Sequence, residues 1–367
     1  MKKNLTPLVA SLVLFSLAAL TNVPVSSAAA PRYAGCFPDV PGYKTLVCDL
    51  HMHTVFSDGN VWPTVRVDEA WRQGLDVLSI TDHIEYQPHK GDIPTNHDRP
   101  YELAAETAKV HNLILIRGTE ITRDTPPGHY NAIFLKAVDP LDTEGFLDAI
   151  AAANEQGAFV FWNHHDWKGE ERGNWSELQT EMVEKKWLHG MEVANWDGYY
   201  PRAHQWCLDR GLTMIGNSDI HGPDLRTKSA PDDHRAMTLV FAKERTAESV
   251  KEALFGKRTA VWFKDRLIGR EEVLAPLFAE CVKVRPVHHR NGNWAYFEIE
   301  NVCNLNVRLE RSEGLGPAVI ELPAKATTLV RLGVGEAAAP YELKYAATNF
   351  LITPEKGLPV VLTVSGE

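Results

Sequence analysis

From about residue 44, short β-rich runs alternate with helix-like segments, and this constrains the fold more than any other feature of the chain. β runs are expected at 44–50, 76–81, 113–119, 132–136, 158–162, 190–194, 212–217 and 237–242. Between them, segments 65–73, 101–111, 147–155, 177–187, 202–210 and 248–255 repeat apolar residues at three- and four-residue steps. That is the spacing of amphipathic helices packed outside a sheet. Gly74, Gly157 and Gly211 each close a helical segment just ahead of a β run, where a left-handed C-cap is expected. The pattern predicts a parallel β/α architecture.

The polar residues of interest fall at the C-terminal ends of these runs. His51 and His53 end the first, Asp82-His83 the second, Glu120 the third, Asn163-His164 the fifth, and Asp219 and His221 the seventh. In β/α barrels that rim carries the chemistry, because loops from many strands converge there. After about residue 285 the texture changes to short β-rich runs separated by Gly, Pro, Asn or Glu, which predicts a small antiparallel β-sandwich. The expected organisation is a barrel-like catalytic domain over 44–284 and a β-sandwich over 285–367, preceded by an extension at 30–43.

Residues 1–29 read as a secretory signal peptide. Lys2 and Lys3 precede an apolar stretch from Leu8 to Leu20, and Ser26-Ser27-Ala28-Ala29-Ala30 supplies the small residues of a cleavage site. The expected location is periplasmic or secreted, with no transmembrane anchor after cleavage. None of the five cysteines sits in a C-x-x-C pair, which argues against a zinc knuckle or redox motif. Cys36–Cys48 and Cys281–Cys303 are the nearest pairings if disulfides form. A formal charge of -10 argues against a stable nucleic-acid partner, which needs basic surface.

Residues i and i+2 of a strand project to the same side, so His51 and His53 can reach one ion together. Asp219 and His221 can do the same from across the pocket. Of the adjacent Asp82 and His83, one faces inward, and His83 is the expected ligand. Glu120 follows Gly118-Thr119, a slim approach to a crowded centre. A carboxylate bridges two cations where a neutral imidazole cannot, which makes Glu120 the natural bridging ligand.

His51-Met52-His53-Thr54, Ser57-Asp58-Gly59, Thr81-Asp82-His83, Gly118-Thr119-Glu120, Asn163-His164 and Ser218-Asp219-Ile220-His221 occur in the order seen in one family. Over roughly residues 45 to 260 the chain resembles the PHP (polymerase and histidinol phosphatase) superfamily of metal-dependent phosphoesterases. The resemblance implies a distorted (β/α)7 TIM-like barrel with a trinuclear metal centre. It places His51, His53, Glu120 and Asp219 on the first metal, and His129 and His164 with the bridging Glu120 on the second. Asp58, His83 and His221 would hold the third. The family often has Pro after the Asn-His pair, and here it is His165, so either His164 or His165 ligates.

The implied function is metal-dependent hydrolysis of small organic phosphate esters, diester or monoester, by metal-bridging hydroxide attacking phosphorus in line. Mixed His and carboxylate ligands suit three divalent ions of zinc, manganese or iron. Glu120 and Asp219 would carry the catalysis through the metals, with His165 and Asp166 as candidate proton donors. Arg123, His165, Trp167 and Trp196 are candidate substrate contacts, with Asn195, Asp197, Tyr199 and Tyr200 near the same rim. Two other readings stay open: an amidohydrolase-like enzyme acting on non-phosphate substrates, and a non-catalytic metal- or glycan-binding protein.

Overall fold

A computed structural model of the protein describes residues 32–33, 37–226 and 232–366. The expected signal peptide and Cys36 lie outside them. The chain first builds β1 (Lys44–Asp49), α1 (Pro63–Arg72), β2 (Val77–Ile80), α2 (Arg99–Val110), β3 (Ile114–Thr122) and β4 (His129–Ile133). It continues through α3 (Phe146–Glu155), β5 (Phe159–Trp162), α4 (Glu177–Glu184), β6 (Gly190–Asn195), β7 (Gly198–Tyr199), α5 (Pro201–Arg210) and β8 (Thr213–Asn217). Then follow β9 (Met237–Ala242), α6 (Ala247–Phe255), β10 (Thr259–Phe263), β11 (Arg266–Gly269) and α7 (Glu271–Cys281). Gly74, Gly157 and Gly211 all have positive φ, the left-handed helix exits that the sequence predicts.

The sheet is mixed, not uniformly parallel. β1–β2–β3 and β5–β6–β8 pair in parallel, but β4 runs antiparallel to both β3 and β5. The physical reason is the short connection between Thr122 and His129, since a parallel crossover needs a dozen or more residues. β9 likewise runs antiparallel to β1 and β10. β8 meets β9 and β10 through threonine side chains. Thr238 Oγ1 accepts from Gly216 N at 2.9 Å and donates to Gly216 O at 2.8 Å, and Thr259 Oγ1 donates to Met214 O at 2.8 Å. Gly216 is required at this approach, because a Cβ there would come within 2.2 Å of Val261 Cγ1.

The remaining strands are β12 (Val282–Val284), β13 (His289–Asn291), β14 (Trp294–Asn301), β15 (Val307–Gly314), β16 (Val319–Leu322), β17 (Ala326–Gly333), β18 (Tyr341–Thr353) and β19 (Lys356–Val364). β12, β13 and β17 pair with β14, while β16–β15–β18–β19 forms a second antiparallel set. β14 alternates buried Ala295, Phe297 and Ile299 with more exposed residues, as a sheet with one covered face must. β18 also pairs in parallel with β11, and one apolar cluster runs from Val47 and Leu239 to Phe297 and Leu343. The C-terminal strands are therefore fused to the first sheet through shared core. Cys48, Cys207, Cys281 and Cys303 are buried thiols. Cys281 and Cys303 lie in hydrogen-bonding contact, near where Val302 N–H donates to Cys281 O. No helix among the described residues is long and apolar enough to cross a membrane.

Candidate metal centre and active-site cavity

Asp49, at the end of β1, fixes the first two loops of the site. Its carboxylate accepts from Ser218 Oγ at 2.5 Å and Ser218 N at 3.1 Å, bringing the β8 loop against the β1 loop. Asp219 follows with φ 51, a conformation that costs a non-glycine residue energy and concentrates at functional sites. Its N–H donates to His51 O at 2.9 Å, which holds the turn. Asp82 serves the other side. It is buried and accepts from Thr54 N, Thr54 Oγ1 and Ser57 Oγ, each at 2.6 Å. Its neighbour His83 turns toward the centre.

Four ligand atoms converge first. His51 Nε2 and His53 Nε2 face each other at 3.1 Å. Both approach Glu120 Oε2, at 3.1 and 3.2 Å, and Asp219 Oδ1, at 3.2 and 3.0 Å. A second group forms on the far side of the same carboxylates. Glu120 Oε1 lies 2.8 Å from His129 Nδ1 and 3.7 Å from His164 Nε2, and Asp219 Oδ2 lies 3.6 Å from His164 Nε2. A third gathers around Asp58 Oδ1, with His221 Nε2 at 3.2 Å, His83 Nε2 at 3.5 Å and His53 Nδ1 at 3.7 Å. All nine residues expected as ligands fall in these overlapping groups.

The arrangement fits cations better than protons. Asp219 Oδ1 is buried and out of hydrogen-bonding alignment despite its two imidazole neighbours. His51 Nε2 and His53 Nε2 lie 3.1 Å apart beside two carboxylates, so neutral rings set lone pair against lone pair or carboxylate, and protonated rings crowd two positive charges together. Divalent ions satisfy every such atom at once.

A cavity of about 680 Å³ opens onto this cluster. Trp167 and Trp196 line it, each more than half exposed, and Tyr86, Lys168, Asn195 and Tyr200 join them. Arg123 also lines it, but its guanidinium is engaged by Glu85 and by the carbonyls of Thr122 at 3.0 Å and Thr143 at 2.9 Å. His165 and Asp166 are not on the cavity wall. His165 is turned into an aromatic box of Trp162, Tyr200 and Trp206, where its Nδ1–H donates to Gly173 O at 2.9 Å. Of the adjacent pair it is His164 whose ring nitrogen enters the cluster.

The C-terminal residues 282–363 match a family described as an Ig-like domain. Among solved structures, a two-domain protein from Bacteroides vulgatus containing a predicted PHP-like metal-dependent phosphoesterase is 43% identical. The match covers 92% of this chain and 100% of that one, with a TM-score of 0.87. The chain belongs to this PHP-like family. A protein assigned as a metal-dependent phosphoesterase from Bifidobacterium adolescentis shares 20% identity, over 56% of this chain and 95% of that one, with a TM-score of 0.38. An amidohydrolase from Chromobacterium violaceum shares 15% identity, over 48% and 88%, with a TM-score of 0.37. Neither superposition is close enough to bear on the site. No curated protein matches the sequence.

The PHP-like centre also has supporting residues that the motifs do not announce. Glu192 on β6 is fully buried. Its Oε1 accepts from His51 Nδ1 at 2.9 Å and Asn217 Nδ2 at 2.9 Å, and its Oε2 from His164 N at 2.9 Å and Asn195 Nδ2 at 2.8 Å. By holding the proton on Nδ1 it presents His51 Nε2 as a lone pair to the centre. Thr122 Oγ1 meets His83 Nδ1 at 2.6 Å and does similar work on the third group. A single Glu inside an apolar β run carries no motif, so its position at a strand near the rim was the one available signal.

Charge dominates the titration of the PHP-like cluster without metal. Burial pushes His51 toward neutrality, but Asp219, Glu120 and Glu192 prevail and hold it well above its ordinary value of 6.5. His53, His164 and His221 are raised against burial by the same kind of carboxylate contact. Burial opposes ionisation of Glu120, Asp219 and Asp58, yet the surrounding histidines hold all three below the ordinary carboxylate range.

A raised histidine stabilises the fold fully below its unfolded pKa and loses that contribution as pH rises through the folded value. A lowered carboxylate acts at the other end, losing its contribution as pH falls through its folded pKa. Chelator-treated protein is therefore expected to lose thermal stability as pH rises above the ordinary imidazole value of about 6.5, as imidazolium deprotonates among clustered carboxylates. Metal-loaded protein is expected to show a flatter profile, because the cations replace those protons. Thermal unfolding across this range with and without chelator measures the difference, and two superimposable profiles would contradict it.

Proposed function

We propose that this protein is an exported hydrolase of small organic phosphate esters, using three divalent ions of zinc, manganese or iron. The observation that carries the reading is the convergence of His51, His53, Glu120 and Asp219 on one point, with a second group sharing these carboxylates and a third sharing His53. In this reading His51, His53, Glu120 and Asp219 hold the first ion, and Glu120, His129 and His164 the second. Asp58, His83 and His221 hold the third. The strands over 44–284 form a distorted seven-unit barrel, and 285–367 form the appended sandwich. The basic and apolar leader at 1–29 directs export to the periplasm or medium.

Bound divalent ions supply Lewis-acid stabilisation of a phosphoryl group and lower the pKa of a water molecule. The chain's own residues do the rest. Glu192 and Thr122 fix the orientation of His51 and His83. Asp49 and Asp82 lock the loops that carry Asp219, His53 and His83. Tyr200 reaches the cavity as a neutral hydrogen-bond donor, since burial and the nearby Glu192, Asp166 and Asp219 push its phenol far above the physiological range. In the overall step water adds to phosphorus, the P–O bond to the alcohol breaks, and the alcohol departs with a proton.

The test is turnover of paired aryl phosphate monoester and diester substrates by metal-reconstituted protein, with metal content measured on the same sample. Turnover that vanishes on chelation establishes the reading and selects its subclass. Cleavage of amide or carboxylic ester substrates with neither phosphate ester turned over would replace it by the amidohydrolase-like alternative.

A further inference from the structure

The mouth of the cavity has a property that phosphate chemistry does not require. Tyr86, Trp167 and Trp196 are 54%, 51% and 57% exposed, the three most exposed aromatic side chains among the described residues. All three line the same cavity. Two of them adjoin ligand histidines. The Trp167 ring centroid lies 5.2 Å from that of His129 and 6.1 Å from that of His164, and Tyr86 lies 5.9 Å from His83. Lys168 Nζ sits 4.6 Å from the Trp167 ring centroid, within cation–π range. Leaving apolar rings in water forfeits their burial energy, and a cluster of them at one mouth marks a binding surface.

Trp196 adds an independent observation. It is the first of the two residues that join β6 to β7, where Asn195 pairs with Gly198 across the hairpin. Its φ is 50. Two-residue hairpin turns favour glycine, asparagine or aspartate at such a position, and a bulky residue there is strained. The turn is held by Trp196 N–H donating to Asn217 O at 3.2 Å and by the indole N–H donating to Asp197 Oδ2 at 3.1 Å. The ring packs into no core and stands in the cavity mouth. A local rule broken without a packing gain points to function.

We propose that this mouth is a subsite for a planar aromatic ring, so that the substrate is a phosphate ester whose leaving group or second ester arm carries an aryl or heteroaryl group. A sugar ring would also stack on tryptophan, but it needs polar side chains free to bind its hydroxyls. Apart from the single Tyr200 hydroxyl, the polar groups named at this mouth are already engaged: Asn195 with Glu192, Asp124 with Lys168 and Arg172, and Asp197 with the Trp196 indole. The subsite rests on the phosphate-ester reading above, and the experiment separates the two.

Phenylphosphonate, cyclohexylphosphonate and methylphosphonate carry the same anionic head and differ only in the appended group. Their affinities for metal-reconstituted protein are measured by calorimetry. Phenylphosphonate is expected to bind at least about tenfold tighter than the other two, the gain of one well-stacked ring. In Trp196→Gly and Trp167→Ala the phenyl-to-methyl ratio is expected to fall to about threefold or less. Trp196→Gly relieves the strained turn, so its Tm is expected to be unchanged or higher, which separates lost selectivity from lost fold. Cyclohexyl binding equal to phenyl in the wild type would overturn the planar-ring subsite and leave the phosphate-ester reading standing. An unchanged ratio in both variants would do the same. Failure of all three phosphonates to bind would overturn the phosphate-ester reading, and the subsite with it.

Discussion

Glu120→Gln is expected to lower phosphate-ester turnover by about 10³-fold or more and to reduce the bound metal by at least one ion. Glu120 is completely buried and presents both carboxylate oxygens to different histidines. Oε2 faces His51, His53 and His83, and Oε1 faces His129 and His164. Glutamine keeps the shape but removes the charge and turns one oxygen into a donor, which must then point at imidazole nitrogens intended for a cation. No neighbouring carboxylate substitutes, because Asp219 is engaged with His51, His53 and His164 and Asp58 with His83 and His221. Metal analysis and steady-state turnover on the same preparation check the expectation. Wild-type metal content together with wild-type turnover would remove Glu120 from the centre.

Much of the converging cluster was legible because its members stand at strand ends, whereas His129, which begins β4, and Asp58, in the loop after β1, came from the family resemblance alone. His51 and His53 share a strand face, and Asp219 and His221 sit two apart at another rim position. Long amphipathic segments also gave the helices, since a three- and four-residue repeat has few other meanings. Less was legible where one residue's meaning depends on distant chain. His164 and His165 are adjacent, and only the path after β5 decides that the first enters the cluster and the second the aromatic box. The antiparallel β4 could have been read from its short connection to β3, but a β/α rhythm on both sides hides it. β10, β11 and α7 escaped because they break that rhythm: two strands joined by a tight turn, then a helix with Pro276 inside it.

Arg66 shows the largest gap between sequence and structure, and its replacement carries the largest expected cost in stability. In sequence, Arg66 and Glu69 look like a solvated i, i+3 pair on α1. In the fold both are buried. Arg66 Nε donates to His53 O at 2.8 Å, one terminal nitrogen to Glu69 at 2.6 Å and Gly222 O at 2.8 Å, and the other to Ile220 O at 3.0 Å and His221 O at 2.7 Å. One guanidinium thus ties the backbone after β1 to the backbone after β8, the two loops that carry His53, Asp219 and His221. The network continues from Glu69 to Asp224 N at 2.8 Å, and from the Asp224 carboxylate through Arg235 to Asp49 at 2.9 Å. Arg66→Met leaves Glu69 without its cation and His53 O and Gly222 O without their donor, while Ile220 O and His221 O keep only the N–H groups of His53 and Asn60, and is expected to cost about 3–5 kcal/mol. Arg66→Lys keeps the charge but not the fork that spans those carbonyls, so it recovers only part of that loss. Denaturant unfolding of metal-free protein measures the stability, and metal titration shows whether the group around Asp58 and His221 loosens first. Stability within about 1 kcal/mol of wild type in Arg66→Met would mean that neighbouring chain or water satisfies these carbonyls, and that the clamp does not hold the centre together.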